Sequence, residues 1–150
     1  MKNSVQKMAT AGMVAVVAIA AIMIVQLQAR QAAQVAGDFR HAQTAEIRDA
    51  QGTVLLRGTF AVTKEDAGED QDGEVERKAP LTAVSGGAMT GEAEVEYRED
   101  QPALQEVEFT AIGVAAGATV TFVIDGKTVT TATADKNGKA EAEIDVKAVG

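Results

Sequence analysis

From Gln43 onward, apolar and polar residues alternate with a period of two. In "GEAEVEYR", Ala93, Val95 and Tyr97 face one way while Glu92, Glu94 and Glu96 face the other. "LQEVEFTAIG" sets Val107, Phe109 and Ala111 against Glu106, Glu108 and Thr110, and "ATVTFVID" sets Val120, Phe122 and Ile124 against Thr119, Thr121 and Val123. "KTVTTATAD" and "KAEAEIDVKAV" continue the pattern. Successive side chains of a strand point to opposite faces, so this alternation predicts strands with one face in water, the habit of antiparallel sheets. Upstream, "TAEIRDAQGTVLLRGTFAV" predicts a strand, a turn at Asp49-Ala50-Gln51-Gly52, and a longer strand with Val54, Leu56, Phe60 and Val62 on one face. Gly58, between them, marks a bulge or a close backbone approach. "VERKAPLTAV" predicts an edge strand, because Pro80 has no N–H to give a neighbour. About seven to nine such strands at near-regular spacing predict one all-β antiparallel sandwich over residues 43–150.

The first 29 residues follow another pattern. Lys2 and Lys7 precede a stretch without charge that lasts until Arg30, and Met8 to Val25 is apolar apart from Thr10 and small residues. A positive start before an apolar run predicts an export signal. The 22 uncharged residues would form a helix about 33 Å long, enough to cross a bilayer. Leu27-Gln28-Ala29 equally offers a small residue for cleavage near Ala29. Residues 1–29 therefore read as a transmembrane anchor helix or a cleaved signal peptide. Both place the remainder outside the cytoplasm: membrane-anchored and facing the periplasm or exterior, or secreted or periplasmic. Residues 30–42, rich in helix formers and interrupted by Gly37, read as a linker or helical stalk.

Composition narrows the chemistry. Lys2 and Lys7 are the only charges before Arg30, so residues 30–150 carry 12 basic and 22 acidic side chains, a net charge of −10. Such a surface repels phosphate backbones and excludes nucleic acid as a natural partner. The absence of cysteine excludes disulfides, thiolate catalysis and cysteine-ligated zinc. Aromatics are 3% of residues and Trp is absent, so the core must be thin and built from aliphatic side chains, Phe and Ala.

Two acidic segments resemble cation sites locally. Asp135-Lys136-Asn137-Gly138 has the spacing of a calcium loop's start, but Ile144 stands where the closing bidentate Glu belongs. A tight turn needs only the residues present, since Asn and Gly tolerate positive φ; Asp125-Gly126 reads as a second turn. The acidic loop 65–76 holds seven acids, with Gly68 and Ala79 at its first and closing calcium-loop positions. It reads as a solvated charge run, with small-ligand or weak cation binding as the alternative. The glutamate faces at 92–96, 106–108 and 141–145 would repel if their strands were neighbours; separated strands in solvent are the expectation. His41 is the single histidine and sits in the linker, where it reads as a surface residue, so no Ser-His or Cys-His pair can be built elsewhere. A carboxylate-based hydrolase would need an aromatic-lined cleft, and Tyr97 is the only Tyr. No catalytic, cofactor-binding or metal-ligating residue is assigned, and the expected function is not enzymatic.

Residues 113–146, "GVAAGATVTFVIDGKTVTTATADKNGKAEAEIDV", resemble bacterial immunoglobulin-like domains of surface proteins and adhesins. The resemblance lies in Ala116-Gly117-Ala118-Thr119-Val120-Thr121, Ile124-Asp125-Gly126, Thr131-Ala132-Thr133-Ala134-Asp135 and Asn137-Gly138. Such domains often carry an aromatic after that Gly, where this chain has Lys139-Ala140. The resemblance implies an immunoglobulin-like sandwich with a structural or protein-interaction role at the cell envelope. Its expected partners are the membrane, through an uncleaved N-terminal helix, and an envelope protein.

Overall fold

The alternating segments fold as strands whose apolar sides meet in one core. The structure, a computed structural model, describes residues 35–65 and 73–148. Among these lie ten strands and no helix: β1 (Val35–Ala36), β2 (Thr44–Arg48), β3 (Val54–Thr59), β4 (Ala61–Glu65), β5 (Glu74–Ala83), β6 (Thr90–Arg98), β7 (Leu104–Ile112), β8 (Thr119–Ile124), β9 (Lys127–Thr133) and β10 (Lys139–Lys147). They form one sheet in the order β1-β10-β7-β6-β5-β3-β2-β8-β9, with β4 also paired to β5. The sheet is mixed rather than purely antiparallel, because β1 runs parallel to β10. Residues 1–34, which include the stretch expected to be an anchor or signal, lie outside the described residues. Among the described ones no helix is long and apolar enough to cross a membrane.

The core follows the alternation. Phe109 of β7 and Phe122 of β8 stack with ring centroids 4.7 Å apart, although four strands separate β7 from β8 in the sheet order. The inward faces of the sheet's two ends therefore meet. Seven of the 22 buried residues in this core are Ala, and all four Phe are buried. The small side chains let backbones approach closely. A Cβ on Gly58 would strike the carbonyl oxygen of Pro80, and one on Gly91 would come within 2.5 Å of the carbonyl oxygen of Thr110.

Several expectations change. β5 is a central strand, not an edge: β6 lies on one side, β3 and β4 on the other. Pro80 is accommodated because β3 stops pairing at Arg57↔Thr82 and β4 resumes at Ala61↔Lys78, leaving a break that needs no N–H. The same break splits the predicted long strand at Phe60. Leu56 and Phe60 are buried, but Val62, beyond the break, is exposed. Val123, assigned to the polar face, is buried beside Glu46.

Residues 35–42 form a two-residue strand and a turn rather than a helical stalk. Phe39 and Ala42 belong to the core. The Phe39 amide donates to Oε1 of buried Gln105 (2.8 Å), whose amide donates to Asp38 and to the Pro102 carbonyl. His41 is exposed.

Candidate functional site

The turns come first, because one of them resembles a cation loop. Oδ1 of Asp135 accepts from the amides of Asn137 (2.8 Å) and Lys139 (2.9 Å), and Gly138, at φ 78°, donates to the Asp135 carbonyl. Asp49 does the same with the amides of Gln51 and Thr53, and with Gly52 at φ 84°. Both Asp-x-x-Gly stretches are thus the same hairpin turn, with the carboxylate committed to the backbone. The amides of Lys139 and Asn137 hold the Asp135 carboxyl below the usual carboxylate range. Asp125, at φ 46°, instead ties its turn to β2 by accepting from the amides of Gln43 and Thr44. Of the acidic loop, residues 66–72 lie outside the described residues, while Glu65 ends β4 and Glu74 and Glu76 stand in β5.

The glutamate strands are neighbours, contrary to expectation. Cross-strand register aligns Lys78, Glu94, Glu108 and Glu143 in one row across β5, β6, β7 and β10. It aligns Glu76, Glu96, Glu106 and Asp145 in the next. Seven carboxylates and one ammonium thus share a patch about 14 Å by 7 Å, from strand spacings of about 4.8 Å and a two-residue rise of about 7 Å. Each like-charge pair directly opposite is unfavourable, on the order of 1 kcal/mol in a solvent-rich setting.

Relief is uneven. Lys78 Nζ lies 3.0 Å from Glu94 and 3.2 Å from Glu76, and these two partners raise its pKa. Thr63 donates to Glu76 (2.7 Å) and, ahead of Lys78, lowers that carboxyl's pKa. Away from Lys78 the pattern reverses. The Glu96 carboxyl is pushed up to about 7 by its hydrogen bond with Glu94, then by burial and by the charges of Glu94, Glu74 and Glu106. Glu106 is also raised, first by burial, then by Glu143, Glu108 and Asp145.

Two triads, Glu76/Glu94/Glu96 and Glu106/Glu108/Glu143, each bring carboxylate oxygens within 4.8 Å of one another. Lys78 already serves the first. Sheet register alone produces the second, and neither is assigned as a metal site. The patch can attract cationic groups and take up protons.

Sequence reading missed a second charged cluster. Glu46 is buried on β2, where its carboxylate meets Arg48 (2.5 and 2.9 Å) and Arg57 (2.6 and 2.8 Å). Burial pushes its pKa up, but the two guanidinium groups outweigh burial and hold it below the usual value. The signal was available: a hairpin around Asp49–Gly52 puts Arg57 opposite Glu46.

Compared with known proteins, the chain matches no family model, no curated protein and no solved structure. The functional reading therefore rests on the chemistry of these faces.

Proposed function

We propose that this chain is an exported, non-enzymatic structural or protein-interaction module of the cell envelope, built as an immunoglobulin-like sandwich. The sandwich reading is supported by the meeting of the two sheet ends at Phe109 and Phe122 and by the resemblance of residues 113–146. Export is supported by the charge and apolar pattern of residues 1–29. The interaction surface is the outer face of β5, β6, β7 and β10, and its partner is a basic protein segment. The observation that carries this is the two-row patch of seven carboxylates with a single ammonium among them.

The test is titration of the full chain, held in a nonionic detergent, with a lysine-rich peptide. Saturable binding is expected at low salt, weakened about tenfold by the double change Glu108→Lys and Glu143→Lys. Equal affinity of parent and variant would remove the face from the reading. Crosslinking in membrane and soluble fractions then identifies the envelope partner.

A further inference from the structure

The same face has a property that needs no partner. We propose that the registered carboxylate rows of β5, β6, β7 and β10 are a proton-responsive device: above neutral pH they repel and loosen this half of the sheet, and mild acid tightens it. This is a conformational response of the fold, not a ligand site.

The geometry carries it. Glu96 stands at the centre of the second row. From β5 it faces Glu76 directly, with Glu74 and Lys78 on the diagonals. From β7 it faces Glu106, with Glu108 on the diagonal. Its own strand adds Glu94 and Arg98 on the same side, and β10 adds Asp145 and Glu143 beyond β7. Lys64 of β4 lies opposite Glu76 in register. Lys78 contacts Glu94 and Glu76, and Arg98 bonds Asp100; neither contact is to Glu96. A proton shared between Glu94 and Glu96 removes one charge from the densest part of the patch and replaces repulsion with a hydrogen bond.

The direction follows from linkage. The folded-state pKa of Glu96, about 7, lies above its unfolded value. The folded chain therefore binds more protons than the unfolded chain between the two values, and stability rises as pH falls through that window. The gain is complete below the unfolded value and lost as pH rises through the folded one. Asp38, Glu46, Glu76, Asp100 and Asp135 have lowered pKa values and act oppositely, losing their contribution in stronger acid. Maximum stability should fall near pH ~5.

The experiment is thermal unfolding of the full chain in nonionic detergent at low salt across this range. Tm is expected to rise by about 3–6 °C from about pH 8.5 to about pH 5.5. Glu96→Gln should remove about half of the rise, and Glu106→Gln a smaller part. His41→Gln, which removes the only histidine, should leave it intact. A flat or falling Tm over this window overturns the proposal. So does a rise that both glutamate variants retain, or one that His41→Gln abolishes. Because no partner enters the measurement, its failure is distinguishable from failure of the peptide-binding reading.

Discussion

The sheet has two charged outer faces, and they solve opposite problems. On β2 and β3 one buried carboxylate, Glu46, is held by two guanidinium groups. On β5, β6, β7 and β10 seven carboxylates share one ammonium in two adjacent rows. The first face is closed electrostatically: the acid's charge is fully countered and hydrogen-bonded, and solvent is largely excluded from it. The second is open: its charge exceeds what the fold neutralises, and water, protons or a partner must complete it. Charge on a strand is therefore no measure of function by itself. What separates a structural cluster from a candidate interaction surface is whether the fold supplies the counter-charge.

That contrast can be broken at either end. Replacing both Arg48 and Arg57 with Leu leaves Glu46 buried without a cation, and the loss should be the largest, about 2–3 kcal/mol in urea unfolding. Because Glu46 has a lowered pKa, the deficit should be full at neutral pH and shrink as pH falls through its folded value. On the open face, Lys78→Gln removes the ammonium that bridges Glu76 and Glu94 and should lower Tm, more at low salt than at high. Glu108→Lys works in the opposite direction. It places a cation between Glu94 and Glu143 and should stabilise by about 0.5 kcal/mol, read as a small rise in Tm. The smallest effect concerns calcium. At matched ionic strength, a millimolar addition should shift Tm by no more than about 1 °C, since the first triad holds Lys78 and the calcium-like turn has spent its Asp on backbone amides.

Much of this architecture was legible, and unevenly so. The alternation in Thr90–Arg98, Leu104–Ile112 and Lys139–Lys147 identified the strands, because a half-solvated strand must alternate. The Asp-x-x-Gly turns were legible because their geometry is local. The adjacency of the glutamate strands was not. Sheet order depends on long-range packing, and here β10 returns past the β8–β9 pair to lie beside β7. Pro80 misled for a related reason. A proline argues for an edge only when the neighbouring strand is continuous, and here it breaks at Gly58–Phe60. β1 escaped notice because two residues carry no period, and Phe39 among Ala, Gln and Asp looks like linker.

β1 also decides how the domain bears tension. Val35 and Ala36 lie parallel to Val146 and Lys147 at the end of β10. A pull on the chain entering at Val35 acts along that pair, so its contacts resist together in shear instead of peeling one by one. Behind them Phe39 is lodged in the core and gripped by Gln105, like a knot drawn against an eyelet. The entry to the described domain is thus fastened twice, by the β1–β10 pairing and, behind it, by one buried phenyl ring.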